Sequence, residues 1–208
     1  MENILVAGAT GTTGKKVVKL LKSSQYFEPI AMVRKEHQKA QFEAQHIETV
    51  LGDLENDISH TIVNANKVVF AAGSGGEKVK SVDQEGAIKM IEASQNSNIK
   101  KFVMLSSMGA EQPDSNNDLY EYLMAKHNAD EFLKSSNLNY TIVRPGSLTN
   151  NKGTGKIKLA KSLNEFGNIS RDDVAQTLVR SLHDDAVNQS TFEILEGETL
   201  IGKALEDI

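Results

Sequence analysis

The sequence predicts an α/β fold with a doubly wound parallel sheet. Short apolar segments alternate with stretches of helical periodicity along most of the chain, which is the order expected of βαβ units with right-handed crossovers. The apolar segments are nearly continuous rather than alternating, which is typical of strands buried on both faces. A glycine-rich segment, GATGTTG, directly follows the first of them. We therefore expect this segment to form the turn between the first strand and the first helix.

Six apolar segments predict the strands of the sheet. In chain order they are ILVA (4–7), PIAMV (29–33), IETVL (47–51), KVVFAA (67–72), KFVMLS (101–106) and YTIVR (140–144). The helical spacing between them predicts helices at about 13–23, 36–45, 80–97 and 119–135, with a shorter one near 56–64. Strand and helix thus alternate as a parallel sheet requires.

The last third of the chain has a different pattern. The segment NKGTGKIK (151–158) has the composition of a loop, and a helix near 171–183, a strand at 191–195 and a short final helix follow it. No repeat or linker divides the chain, so we predict a single domain over residues 1–208. We expect residues 147–208 to form a small cap on the substrate side.

Composition and charge disfavour or exclude several classes of protein. The 208 residues, 39% hydrophobic and 25% charged, are typical of a globular protein. A net charge of −5 disfavours a nucleic-acid-binding protein, which normally carries a basic face. The chain has no apolar run long enough to span a membrane and no signal-peptide pattern at its start, so we expect a cytoplasmic protein. With no cysteine and no histidines at metal-ligand spacing, it predicts no disulfide, no thiolate chemistry and no metal site.

The segment GATGTTG predicts a dinucleotide-binding turn. Gly8 permits the tight turn after the strand, Gly11 lets the backbone approach a pyrophosphate, and Gly14 lets the helix pack closely on the strand. The start of the helix then presents free N–H groups to the phosphates. The candidate cofactor-binding residues here are Gly8, Thr10, Gly11, Thr12, Thr13 and Gly14. A tight turn with no ligand would have the same composition.

The end of the second predicted strand indicates which dinucleotide binds. A site for NAD usually has an acidic residue here to hold the ribose 2′-hydroxyl. This chain has Arg34 and Lys35 instead, and both can meet a 2′-phosphate. The pattern therefore favours NADP, with NAD as an alternative. A solvated pair of charges at a strand end is the other interpretation.

The third and fourth strands end in residues suited to the adenosine half of the cofactor. Asp53 is predicted to lie beside the adenine, with Leu54 packed against the ring, although Asp53 could equally cap the next helical turn. The fourth strand ends in AAGSGG (71–76), and its Ala72 and Gly73 suit a backbone that runs close to a ribose. The glycines of a flexible loop would give the same composition.

Candidate catalytic groups follow the fifth strand. Ser106 and Ser107 stand at its carboxyl end, where open parallel sheets bind their ligands. Tyr122 and Lys126 are four residues apart and share one face of the next predicted helix. A phenol is a weak acid at neutral pH, and a nearby ammonium favours its ionised form, so this pair suits acid–base chemistry.

These motifs resemble the short-chain dehydrogenase/reductases, in particular their atypical branch of small NAD(P)-binding proteins related to sugar epimerases and NmrA-type regulators. The resemblance covers essentially the whole chain and rests on the following segments: GATGTTG, GDL (52–54), LSS (105–107), YLMAK (122–126), NYTIVRPGSL (139–148) and ISRDDVAQTLV (169–179). It implies a Rossmann fold in which Tyr122 donates a proton, Lys126 anchors the cofactor and a serine polarises the substrate carbonyl.

The resemblance also implies that Pro145 and Gly146 border the nicotinamide. The chain departs from the family pattern at two places. The family's catalytic hydroxyl often lies a residue or two beyond the paired serines, where this chain has Met108 and Gly109. After Gly146 the tail is shorter than a full epimerase substrate domain, which disfavours sugar-nucleotide chemistry.

Three further residues receive an interpretation from the sequence. His127 is expected at the surface, because it points about 100° away from Lys126 on a helix. Ser170 is expected to be an N-cap, with Asp173 at the reciprocal position. Asp83 suits either the site or a helix start, and the sequence does not decide between them.

Two hypotheses of function follow. The first is an NADP(H)-dependent oxidoreductase that transfers a hydride to a small carbonyl, quinone or flavin-like substrate. The second is a non-catalytic NAD(P)-binding protein that senses the redox state of the cofactor and reports it to a partner. The Tyr122–Lys126 pair favours the first, and the missing downstream hydroxyl and short tail leave room for the second.

Overall fold

The computed structural model describes all residues from Met1 to Ile208. Its strands are β1 Glu2–Ala7, β2 Phe27–Val33, β3 Glu48–Leu51, β4 Lys67–Phe70, β5 Lys101–Leu105, β6 Tyr140–Pro145, β7 Ser147–Thr149, β8 Lys156–Ala160, β9 Asn168–Ser170, β10 Ser190–Glu196 and β11 Thr199–Leu200. Its helices are α1 Thr12–Lys22, α2 Glu36–Glu43, α3 Glu85–Gln95, α4 Tyr120–Ser135, α5 Arg171–Arg180 and α6 Ile201–Glu206. The predicted alternation of strands and helices is confirmed.

Nine of the strands form one sheet, in the order β11-β8-β10-β6-β5-β4-β1-β2-β3. Strands β1 to β6 and β10 are parallel, whereas β8 is antiparallel to β10 and β11 is antiparallel to β8. The strand order reverses between β1 and β4. At such a reversal the helices leave on opposite faces, and the crevice beyond the carboxyl ends of the strands is where doubly wound sheets bind ligands.

Helices cover both faces of the sheet. Helices α1 and α5 pack together on one face, and α3 and α4 pack together on the other. Each face buries its own apolar cluster: residues such as Ile4, Val6 and Val17 on the first and Leu5, Phe70 and Phe102 on the second. Because β1 is inaccessible on both sides, alternate residues of this one strand belong to different clusters, as the continuous apolar pattern predicts. None of the helices combines the length and the apolarity needed to cross a lipid bilayer.

Several predicted boundaries differ from the structure. The helix expected near 56–64 is only a 3₁₀ turn over Ser59–Ile62. The helix expected at 80–97 begins with a wide π-helical turn, Val79–Gln84, before the regular α3. π-Helical turns are uncommon and occur often at functional sites.

Part of the segment expected to form a cap extends the main sheet. Within residues 147–208, strands β8, β10 and β11 join the main sheet, and the predicted loop at 151–158 runs into β8. Strand β8 was missed because its sequence, KIKLA, carries outward-facing lysines and gives a weak apolar signal. The short pair β7–β9 stands apart from the main sheet. That this segment covers a substrate stays a prediction.

Candidate functional site

The glycine turn after β1 is shaped for close contacts. Gly8 has a φ of +86°, and a Cβ there would come within 2.6 Å of the Ala72 backbone at the end of β4. A Cβ on Gly14 would lie 2.1 Å from the carbonyl oxygen of Gly8, so α1 packs directly on the turn. Gly11 has an ordinary extended conformation, and its Cβ would meet that oxygen at 3.3 Å. The glycines at the two ends are thus required by packing, and the middle one is not.

The first turn of α1 fits a phosphate group. The helix begins at Thr12, its N-cap Gly11 offers no side chain, and the first turn contains no acidic residue. Its initial N–H groups therefore lack the usual internal partners and carry the positive end of the helix dipole. Thr12 is exposed beside them, whereas Thr13 is buried in the helix packing. The chain's own residues thus fit the pyrophosphate of a dinucleotide.

A pocket of about 310 Å³ opens beside this turn at the carboxyl ends of β1 to β4. Eight predicted cofactor residues line it: Gly8, Thr10, Gly11, Arg34, Asp53, Leu54, Ala72 and Gly73. Its volume is near the lower end for ligand sites, roughly 300–1,000 Å³, so it suits the adenosine half of a dinucleotide better than the whole molecule. The structure thus brings the predicted adenosine-side residues together.

Two predicted cofactor residues behave differently from each other. Arg34 is exposed and lines the pocket, and its backbone N–H donates to Gln38 Oε1 at 3.0 Å. Lys35 is also exposed, but it does not line the pocket and instead occupies the N-cap position of α2. Asp53 accepts a hydrogen bond from the Glu55 N–H at 3.1 Å and still borders the pocket, so its two predicted roles are compatible.

Lys126 is buried at the adjoining end of the sheet. Its Nζ donates to the Leu105 carbonyl at 3.4 Å and lies 3.7 Å from Asp83 Oδ1. The ring of Tyr122, which is partly buried, stands 5.7 Å from the same Nζ at its centroid. The Tyr122–Lys126 pair predicted from their spacing on α4 is therefore a real contact. It lies on the β5 side of the pocket, toward the predicted nicotinamide position.

Asp83 connects Lys126 with the pocket wall. Its side chain is fully buried in the π-helical turn, and its Oδ2 accepts hydrogen bonds from Ser74 Oγ at 2.6 Å and from Ser74 N at 3.1 Å. Its other oxygen, Oδ1, has no hydrogen-bond partner. Asp83 thus lies in the helical turn that leads into α3 and also joins Lys126 to Ser74, so the two alternatives that the sequence left open are compatible.

The two candidate serines occupy different environments. Ser106 is buried, and its hydroxyl donates to Asp130 Oδ2 at 2.8 Å, where Arg144 Nε also donates at 3.0 Å. Ser107 is partly exposed, and its hydroxyl meets only the neighbouring Met108 carbonyl, at 3.1 Å. Of the two hydroxyls, that of Ser107 is therefore the one available to a ligand.

A buried ion pair that the sequence reasoning missed supports the loop after β5. Arg144 and Asp130 are both almost wholly buried, and Arg144 Nη1 reaches Glu111 Oε2 at 3.1 Å. Burial raises the pKa of Asp130, while Arg144 and Ser106 act in the opposite direction. Pro145 follows Arg144 and accepts a hydrogen bond from the Met108 N–H at 3.0 Å. These contacts hold residues 106–111 against β6 and α4.

Two structural interpretations from the sequence can also be compared with the contacts. His127 is not simply a surface residue, since it is partly buried and its Nδ1 lies 2.8 Å from the Ala110 carbonyl oxygen. Its face of α4 packs beneath the loop after β5. The Ser170 N-cap is confirmed, because its Oγ accepts from the Asp173 N–H at 3.0 Å.

Comparisons with known proteins give a consistent result. A family described as NAD(P)H-binding matches residues 8–185. The uncharacterized sugar epimerase YhfK of Bacillus subtilis is 41% identical over 99% of both chains. A solved structure from Bacillus halodurans, provisionally named an NAD-dependent epimerase/dehydratase, is 38% identical with a TM-score of 0.93 over the full length of both chains. The oxidoreductase YlbE of Lactococcus lactis is 28% identical with a TM-score of 0.87, covering 99% of this chain and 96% of that one.

Proposed function

Because this chain belongs to the NAD(P)H-binding family, we propose that it is an NADP(H)-dependent oxidoreductase of the atypical short-chain dehydrogenase/reductase type. It transfers a hydride between the cofactor and a small carbonyl, quinone or flavin-like substrate. The observation that carries the proposal is the buried Lys126. Its Nζ lies 3.7 Å from Asp83 Oδ1, and Asp83 accepts a hydrogen bond from Ser74, which lines the pocket beside the glycine turn.

The chain's own residues divide the work of holding the cofactor. The first N–H groups of α1 bind the pyrophosphate, Asp53 and Leu54 meet the adenine, and Lys126 holds the ribose on the nicotinamide side. Asp83 keeps the Lys126 ammonium in place and anchors the pocket wall through Ser74. When bound, the nicotinamide supplies or accepts the hydride.

Proton transfer is assigned to Tyr122, whose ring contacts the Lys126 ammonium. Ser107 polarises the substrate oxygen, and Ser106 has a positioning role because its hydroxyl is already bonded to Asp130. Pro145 and Gly146 border the nicotinamide.

Preference for NADP over NAD is assigned to Arg34. It borders the pocket at the end of β2, where an acidic residue would select the 2′-hydroxyl. A guanidinium can instead bind a 2′-phosphate through two parallel hydrogen bonds. Lys35, which does not line the pocket, contributes long-range attraction only.

Replacement of Tyr122 by phenylalanine tests the proposed chemistry. Tyr122→Phe keeps the ring but removes the hydroxyl, so NADPH oxidation with a panel of quinones, flavins and small aldehydes should fall by roughly 10²–10⁴. NADPH affinity should stay nearly constant. Tyr120→Phe, at the start of the same helix, is the matched control and should be as active as wild type.

Two outcomes would contradict the proposed chemistry. A wild-type protein that binds NADPH tightly but turns over no member of the panel would support the redox-sensor alternative instead. If Tyr122→Phe kept full turnover, the enzyme would transfer hydride to an acceptor that needs no protein acid. Lys126→Met should weaken both NADPH binding and turnover, because the Lys126 ammonium binds the ribose and contacts the ring of Tyr122.

A further inference from the structure

The adenosine pocket has two walls that come from different parts of the chain. One wall is Gly52–Leu54, which follows β3, and the other is formed by the segment after β4, including Gly73, Ser74 and Lys78. A nucleotide between these walls would touch both. What holds the walls together therefore determines how easily it leaves.

At its base the first wall is fixed to α3, the helix that follows the second wall. A Cβ on Gly86 would lie only 2.8 Å from Leu54 Cβ, so the first wall packs directly on α3. Lys89, on the same helix, donates to the Leu54 carbonyl at 2.9 Å. The base cannot open without breaking this packing.

At the mouth the walls are joined by side chains. Lys78 Nζ forms an ion pair with Glu55 Oε2, and Ser81 Oγ donates to Glu55 Oε1 at 3.1 Å. The hydrogen bond from Lys78 is the main cause that lowers the pKa of Glu55. Lys78 immediately precedes the wide π-helical turn, and Ser81 lies within it. Lys78 also lines the pocket.

The chain before Lys78 has the conformational freedom to move. Gly75 and Gly76 have φ values of +68° and +93°, and no atom lies within 4 Å of where a Cβ would be on either residue. A segment of this kind can swing away once its tether is released.

We propose that Lys78 and Glu55 form a clasp across the adenosine end of the cofactor pocket, which slows release of the bound nucleotide. The pair joins the two walls at the mouth, while Gly86 and Lys89 hold the base. The clasp acts on the adenosine that NADH and NADPH share, so it should slow the release of both nucleotides equally. This proposal rests on cofactor binding and not on turnover.

Stopped-flow release of NADH and of NADPH tests the clasp, with excess oxidised nucleotide as the trap. Lys78→Met and Glu55→Gln should each raise the dissociation rate by about two- to fivefold, the scale expected of a partly exposed ion pair. The double variant should be no faster than either single one, and the reversed pair Lys78→Glu/Glu55→Lys should restore part of the slow release. Lys80→Met is the control, since Lys80 is exposed on the same segment but does not line the pocket.

Four results would overturn the clasp: unchanged rates, additive effects, equal acceleration by Lys80→Met, or acceleration confined to NADPH. The last would make Lys78 a ligand of the 2′-phosphate instead. Because the assay needs no substrate, a failed clasp leaves the proposed reductase standing. Conversely, a protein without turnover can still show the clasp.

Discussion

A substitution at Gly11 should impair cofactor binding without impairing folding. Its backbone is in an ordinary extended conformation, and a Cβ would be 3.3 Å from the Gly8 carbonyl oxygen, a tight but adjustable contact. Gly11→Val therefore should leave the fold intact. Its branched side chain, however, projects where the pyrophosphate approaches the start of α1.

The expected loss can be estimated from the hydrogen bonds involved. If valine displaces the phosphates from two helix N–H groups, each charge-assisted bond contributes about 1.5–3 kcal/mol, so affinity should fall at least hundredfold. With NADPH at 100 times its wild-type Kd, the ligand stabilises the wild type by about 2.7 kcal/mol. That corresponds to a rise in Tm of roughly 5–10 °C for a chain of this size.

Fluorescence titration with NADPH and thermal unfolding with and without NADPH measure both effects. Gly11→Val should unfold near the wild-type Tm without NADPH and show almost no shift with it. Gly14→Ala is the contrasting variant, because its Cβ would lie 2.1 Å from the Gly8 oxygen and must displace the helix. It should lower stability in the absence of any ligand. A folded Gly11→Val protein that binds NADPH normally would refute the placement of the pyrophosphate.

Two other predictions concern charge. Arg34→Ala should weaken NADPH binding by about 1–3 kcal/mol and have little effect on NADH binding. Lys35→Ala should change both affinities much less. If the wild type bound NADPH and NADH equally tightly, the role assigned to Arg34 would be contradicted. Burial beside Lys67 lowers the pKa of Lys101 from 10.5 to about 8. Between these pH values the unfolded chain holds a proton that the folded chain has lost, so this group makes the free energy of unfolding rise with pH by up to roughly 3 kcal/mol before solvent screening. Denaturant unfolding from pH 7 to 10.5 should show the free energy of unfolding of the wild type rising relative to that of Lys101→Met. A difference between the two proteins that stays constant with pH would refute this assignment.

The pocket beside the glycine turn could be predicted from the sequence because local order determines it. In a parallel sheet every strand ends at the same edge, so Arg34, Asp53 and Ala72 converge simply by following β2, β3 and β4. The Tyr122–Lys126 contact follows in the same way from the spacing along one helix. Each of these assignments needs the topology but no knowledge of how distant side chains pack.

The remaining contacts depend on such packing and left no local signal. Arg144 and Asp130 are 14 residues apart, on β6 and α4, and nothing in either segment indicates a buried pair. Lys78 and Glu55 belong to two loops whose conformations the sequence does not specify. Lys67 and Lys101 each begin an apolar strand, a position where lysine is normally solvated, yet both are fully buried.

Buried charges lie at both ends of the parallel strands, and their hydrogen bonds distinguish the two ends. At the amino ends, Lys67 donates to the Leu182 carbonyl at 2.8 Å and pairs with Glu2 at 2.7 Å, and Lys101 donates to the Ala186 carbonyl at 2.5 Å. These ammonium groups tie the segment after α5 to the sheet.

At the carboxyl ends the buried charges are less completely paired. Asp83 Oδ1, Asp130 Oδ1 and Arg144 Nη2 each lack a hydrogen-bond partner, although Nη2 lies 3.0 Å from Asp130 Oδ2. The same is true of two uncharged atoms near the amino ends of the strands, Asn139 Oδ1 before β6 and Thr191 Oγ1 in β10. Among the three charged residues at the carboxyl ends, Asp83 stands beside Lys126, which in the proposed reductase holds the nicotinamide ribose, whereas Arg144 and Asp130 support the loop after β5.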